Sequence, residues 1–408
     1  HYIIRYLEYQ NSIDVSENND KQIRIDQMQN ITQDEALNPF PRYRIMREEQ
    51  PVYFNPQYRF WQVFRYEDVQ RVLSDYASFS SGFGGDQGRD PLSASLISMD
   101  PPRHRQLRNL VTQAFTPRSV AQLSNRITTI VNTLLDEVAA RGRMDIIDDL
   151  AYPLPVIVIA EMLGIPHEDR ERFKVWSDSV VGASNPEGGN PQAEMSAYFL
   201  NMISQRSREP KDDLITALLN AQIDGQHLNQ RELLGFCILL LVAGNETTTN
   251  LIGNALLCFD EHPEVMEQLR SEPALIPGAI EEVLRYRSPV QYMYRRAVSD
   301  VTIRDQEIRT GQMVLAWIGS ANRDEAQFPD PDSFDIRRTP NRHIAFGHGI
   351  HFCLGAPLAR LEAKIALTLL LKRFHEIQRV RDVSLEATGS DLVFGVKHLP
   401  ITFRAATK

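Results

Sequence analysis

Apolar and polar positions follow two different periods along this chain and divide it into distinct stretches. Between Val52 and Phe64, β-formers stand on both sides of Asn55-Pro56, which predicts a hairpin. Helical spacing takes over beyond it. Thr116 followed by Pro117 is an N-cap with a first-turn proline, and the helix it opens can continue to Gly142. A longer apolar run predicts a helix over Leu233–Phe259, on the order of 40 Å long at about 1.5 Å per residue. A third helix starts after Pro277 and must stop before Pro289, and the last long one follows Pro357. Residues 1–30 are polar, rich in Asn, Gln and Asp, and are expected to extend outside a main unit spanning residues 31–408. Gly82–Pro91 and Gly182–Pro191 have the composition of loops that cover pockets. The pattern predicts a fold that is mainly α with small β-sheets, in a single unit without internal repeats.

Composition excludes several classes. With 408 residues, 42% apolar and 24% charged, the chain is neither disordered, collagenous nor a disulfide-stapled miniature. Its 44 basic and 53 acidic residues leave a net charge of −9, which argues against a generic nucleic-acid binder. Three cysteines in so long a chain point to a reducing compartment. The longest apolar candidate, Phe236 to Gly244, is about half of the roughly 20 residues that span a bilayer. His1 to Tyr6 lacks the apolar core of a secretory signal. A cytoplasmic protein without a membrane segment is expected.

The richest chemistry lies between Phe346 and Gly355, which gathers one cysteine, three glycines and two histidines just before a helix. Glycines let backbone approach a flat partner closely. The positive end of the helix near Pro357 favours a thiolate at Cys353. A thiolate in a tight apolar loop suits an axial ligand to haem iron, where it donates electron density that helps cleave O–O. Cys237 and Cys258, in apolar helical runs, read as core residues. A zinc site from His343, His348, His351 and Cys353 matches no common spacing. Neither this segment nor Gly82-Phe83-Gly84-Gly85 makes a dinucleotide loop.

This decapeptide resembles the haem-binding loop of the cytochrome P-450 superfamily, with Phe346, Gly347, Gly349, His351, Cys353 and Gly355 at the pattern's positions. Three further motifs stand in that family's order, and the resemblance covers about residues 31–408. Ala243-Gly244-Asn245-Glu246-Thr247 is similar to the oxygen-activating stretch. Ala243 and Thr247 share a helix face, and a Thr hydroxyl bonded four residues back loosens a helix locally. Gly244 beside it would let the site widen, and Glu246 supplies a carboxylate able to relay protons. The family often has Asp where this chain has Glu246.

Glu282-Val283-Leu284-Arg285 has the E-x-x-R form, whose members are helix neighbours able to pair. The usual third member is expected at Arg338, with Arg337 as the rival. Asp100 to Arg108 resembles the helix that contacts the haem propionates, with His104 and Arg108 one turn apart; Arg295 and His351 complete the expected set.

The resemblance implies a single cytochrome P-450 fold, a triangular helical prism enclosing haem b. Cys353 would ligate the iron, Ala243, Gly244, Phe346, Gly347 and Gly355 would border the cofactor, and Thr247 and Glu246 would manage the protons of oxygen activation. By family position, Phe83, Leu92, Leu96, Ile97, Leu239, Val242, Val290, Met293 and Phe394, with Ala243, would line an apolar substrate pocket. A fatty acid, a steroid or terpenoid, or a macrolide-type polyketide would fit such a lining.

Five arginines and no acid lie between Pro101 and Arg126. With Arg342, Arg360 and Lys364 they would steer an acidic ferredoxin or a flavodoxin to the cysteine side. The implied activity is monooxygenation with O2 and electrons from NAD(P)H by a monomer that binds neither nucleic acid nor membrane. Peroxide-driven chemistry and a non-catalytic haem sensor or carrier are the alternatives.

Overall fold

In the computed structural model, which describes residues 33–82, 91–169, 172–173, 175–176, 191–223 and 225–406, the expected hairpin is present. Val52–Asn55 pairs antiparallel with Phe60–Val63, Val52 opposite Val63. Asn55 turns the chain by accepting the N–H groups of Gln57 and Tyr58 on its Oδ1, each at 3.1 Å. Phe60–Val63 then runs parallel to Met313–Ala316. That strand pairs with Met293–Ala297, and Phe79–Ser80 closes a five-stranded sheet. Val63, Val314 and Ala316 are fully buried and share a core with Val69 and Val72 of helix Tyr66–Ser74. A three-stranded sheet joins Arg143–Asp145, Pro400–Ala405 and Phe374–Arg379, and Val301–Ile303 pairs with Gln306–Ile308.

Five helices position the candidate site: α1 (Arg103–Ala114), α2 (Pro153–Met162), α3 (Gln230–Glu261), α4 (Ile276–Tyr286) and α5 (Ala356–Arg373). The longest, α3, begins with a reciprocal cap. Asn229 Oδ1 accepts the Glu232 N–H, and Glu232 Oε2 accepts the Asn229 N–H, both at 2.9 Å. Because α3 is apolar on nearly every face it has to be buried, and it packs against α2, α4 and α5. By length and composition alone it is apolar enough to cross a membrane, which corrects the expectation that no stretch comes near that length. Most of that stretch is instead buried inside this fold. The prolines set the other starts as expected, with Pro277 in the first turn of α4 and Pro357 in that of α5.

One expected helix divides. Thr116 does cap a helix, accepting the Ser119 N–H at 3.0 Å, but that helix stops at Gln122 and a second runs over Ser124–Ala139. At the junction the Leu123 N–H bonds to the Val120 carbonyl three residues back, a tight turn that ends the first helix. The expected boundary near residue 31 and the polar residues 1–30 lie outside the described residues. So do residues 83–90 and 182–190 of the two Gly-bearing loops.

Candidate active site

The cysteine loop owes its shape to two glycines. Gly347 and Gly349 have φ of +77° and +72°, a region costly for other residues. At Gly349 a Cβ would also come within 2.9 Å of the Ser74 Cα, so the loop lies directly on helix Tyr66–Ser74. The Cys353 N–H closes the turn on the Phe346 carbonyl at 2.9 Å, and Gly355 leads into α5. Cys353 is exposed as a residue. Even so, burial is the largest influence on its thiol and pushes it up. The N–H groups of Gly355 and Ala356 and the charges of Arg108 and Arg360 pull it down, without prevailing. The expected helix-end donors are therefore present, but desolvation outweighs them in the protein alone.

Beside this loop lies a cationic corner. The His104 and His351 rings lie against each other with centroids 4.3 Å apart and planes tilted by 56°, and the Nε2 atom of each is buried without a hydrogen-bond partner. Burial pushes both imidazoles down, His351 to about 3, helped there by Arg295 and His104. Arg295 is buried on strand Met293–Ala297 and lowered to about 10 by burial, with Asp100 opposing. Two orphaned imidazole nitrogens beside a buried guanidinium call for an anion. The two carboxylates of a haem would meet that need, so these residues fit the group. The charge of Arg108 acts on both imidazoles, and its guanidinium donates to the Phe352 carbonyl at 2.6 Å and so ties α1 to the cysteine loop.

On α3, Thr247 Oγ1 donates to the Ala243 carbonyl at 2.7 Å, the expected bond four residues back. Asn250 Nδ2 does the same to the Glu246 carbonyl at 2.8 Å, and Thr249 Oγ1 reaches the Ala151 carbonyl at 3.1 Å. This cluster of side chains competing for backbone explains the polar seam in an apolar helix. At Gly244 a Cβ would meet Ile159 Cδ1 of α2 at 2.5 Å, so this glycine lets the two helices pack closely.

Behind the loop, Glu282 and Arg285 form a fully buried bidentate pair at 2.7 and 2.8 Å. Glu282 also accepts Arg338 Nε at 3.2 Å, Asn341 Nδ2 at 3.1 Å and the Asp335 N–H at 2.9 Å. Arg337, the rival, pairs with Glu272 at the surface. Four donor residues satisfy the buried carboxylate, which is what makes its burial tolerable.

Sequence reasoning misses the neighbouring acid. Glu281 receives Arg360 and His343, and these hydrogen bonds outweigh its burial and hold it down to about 2. A doubled acid in Glu281-Glu282 is the only available signal, and it does not say which residues meet it. With His343 on Glu281 and His351 on His104, the zinc grouping is not assembled. The expected basic patch shrinks as well. Arg360 is paired with Glu281, Arg103 with Glu232 at 2.7 Å and Arg126 with Glu161 at 2.7 Å. Arg105, Arg118, Arg342 and Lys364 are exposed and form no ion pair among the described residues.

Of the expected pocket residues, Leu239, Val242, Val290 and Met293 are half-buried, Leu96 is buried and Ile97 is exposed. Phe394 is a correction. Its ring meets Phe40 edge-on at 5.6 Å and lies below Arg287, so it belongs to the packing beneath the helix Phe40–Glu49. Phe83 and the side chain of Leu92 lie outside the described residues.

The family model described as Cytochrome P450 matches residues 190–403. Cytochrome P450 109 of Bacillus spizizenii is 48% identical over 384 residues, covering 91% of this chain and 93% of its own. The substrate-free structure of CYP109E1 from Bacillus megaterium superposes with a TM-score of 0.87 at 44% identity, over 91% of this chain and all of that one. Its complex with testosterone gives 0.85 at 43%, over 91% and 99%. With a family match over half of the chain and relatives of this identity and coverage, this chain belongs to the cytochrome P450 family and is a haem-thiolate monooxygenase.

Proposed function

We propose that the protein hydroxylates or epoxidises a lipophilic small molecule such as a fatty acid, a steroid or terpenoid, or a macrolide-type polyketide. It would use O2 and electrons from NAD(P)H delivered by a small acidic ferredoxin or a flavodoxin. The observation that carries this reading is the conjunction of a cysteine loop with an acid–threonine step on the helix α3. Cys353 would hold haem b, which when bound would supply the oxygen chemistry.

The chain's own residues do the rest. His104, His351 and Arg295 would hold the two carboxylates, and Glu282, Arg285 and Arg338 keep the loop in place. Thr247 Oγ1 keeps its proton on the Ala243 carbonyl, so its lone pairs are left to accept another. Glu246, the preceding residue, takes protons from solvent and passes them toward that oxygen. Leu239, Val242, Val290 and Met293 bind substrate by burial and keep water away. The testosterone complex of CYP109E1, in the same family, supports a bulky lipophilic ligand. Arg105, Arg118, Arg342 and Lys364 offer the remaining free charge for an acidic electron donor. The working protein is taken as a cytoplasmic monomer.

The test is an absorbance titration of the purified ferric protein against fatty acids, steroids, terpenes and macrolides. A spin-state change with one class identifies the substrate, whereas silence across the panel favours a sensor or carrier. Turnover sustained by peroxide alone at the full O2-driven rate would replace the electron-transfer part of the reading.

A further inference from the structure

Two adjacent glutamates on α4 serve different segments. Glu282 holds residues 335–341 through Asp335, Arg338 and Asn341. Glu281 accepts Arg360 Nε on Oε1 at 2.7 Å and the Arg360 terminal nitrogen on Oε2 at 2.9 Å, and His343 Nε2 meets Oε2 at 2.9 Å. One carboxylate therefore clamps a residue shortly before the cysteine loop and a residue shortly after it. The bidentate bond also fixes the plane of the Arg360 guanidinium. Its carbon lies 4.5 Å from the centre of the Phe346 ring, and the Phe346 carbonyl receives the Cys353 N–H at 2.9 Å. A continuous line of contacts runs from Glu281 through Arg360 and Phe346 to the sulfur-bearing residue. The charge of Arg360 acts directly on Cys353.

We propose that Glu281 is a positioning residue that holds Arg360 over Phe346 and thereby sets the electrostatic potential at Cys353 and the electron affinity of the iron it carries. This rests on the haem-thiolate assignment. A guanidinium near the sulfur favours the state with the added electron, and the Glu281 carboxylate offsets part of that field. The two members of the pair must therefore act in opposite directions. Neutralising Glu281 leaves Arg360 uncompensated, while removing Arg360 leaves Glu281 charged.

The experiment is a redox titration of the full-length holoprotein in four forms: wild type, Glu281→Gln, Arg360→Gln and Arg360→Lys. Reduced carbon monoxide spectra and thermal midpoints are taken on the same samples. The expected result is a higher reduction potential for Glu281→Gln and a lower one for Arg360→Gln. Arg360→Lys, which keeps the charge without the bidentate bond, should fall between Arg360→Gln and wild type. Shifts of the same sign, or none, would overturn the proposal and leave Glu281 a mere brace. So would a lysine variant indistinguishable from the glutamine one. If Arg360→Gln fails to retain haem, the comparison of Glu281→Gln with Arg360→Lys decides alone: the proposal requires a rise in Glu281→Gln larger than any change in Arg360→Lys. Absence of the red-shifted carbon monoxide band in the wild type would instead sink the thiolate assignment itself.

Discussion

The two sides of the candidate site are built on opposite principles. On the cysteine side the two adjacent carboxylates of α4 are each held by several partners. Glu282 has four donor residues, Glu281 three contacts, and two glycines with positive φ press the loop onto its neighbours. On the α3 side the polar groups bond back to their own helix, as Thr247 does to Ala243 and Asn250 to Glu246. The first arrangement is costly to disturb because buried charges would lose partners. The second gives up helix regularity around Thr247 and Glu246, the residues proposed above to carry protons. In that reading ligation and proton movement belong to different elements, and substitutions should separate them.

Cys353→Ala should have the largest effect. It removes the proposed iron ligand, so the red-shifted carbon monoxide band and all O2-driven turnover should vanish while far-ultraviolet circular dichroism remains. Glu282→Gln comes next, because Arg285, which has no exposed surface, would keep its charge without a charged partner. A loss of about 3–5 kcal/mol is expected, measurable as a lower denaturant midpoint and poor haem retention.

Glu362 gives a pH-dependent probe of the same side. It lies on α5 with Oε1 buried and unpartnered, and burial pushes its carboxyl up to about 8. Near pH 4 both folded and unfolded chains hold the proton and nothing is lost. Between the ordinary value of 4.5 and about 8 only the unfolded chain releases it, so this residue's contribution to stability falls as pH rises. Glu362→Gln should match wild type near pH 4 and gain on it by up to about 1.4 kcal/mol per pH unit in that window, read from thermal midpoints across pH.

Thr247→Ala should have the smallest structural effect and a clear functional one. Losing one hydrogen bond costs about 0.5–1.5 kcal/mol, with the haem spectrum unchanged. Coupling of O2 consumption to product should drop and peroxide should appear, measured by oxygen electrode and product assay. Unchanged coupling would return the proton role to other groups and erase the contrast between the two sides.

Motifs made of near neighbours are legible in the sequence alone. The Cys353 loop, the Glu282–Arg285 pair, the Thr116 and Pro357 helix starts and the Thr247 hydroxyl all depend on residues within about one turn to a few turns of one another. For these, backbone geometry dictates who meets whom. Spacing to a local landmark even favours Arg338 over Arg337. What stays hidden depends on much longer separations. Glu281 finds Arg360 79 positions away, and Arg108 finds Phe352 244 away. Phe394 turns to Phe40, and Gly244 meets Ile159.

The sequence by itself determined the ligand loop, the helix that faces it and the chemistry those residue types allow, because each is encoded in short-range pattern. Only the tertiary structure decided which arginines are neutralised, which glycine is for packing, and which carboxylate fixes Arg360 beside the cysteine loop. Long-range pairing follows from how helices stack and bury charge, and no local period records that.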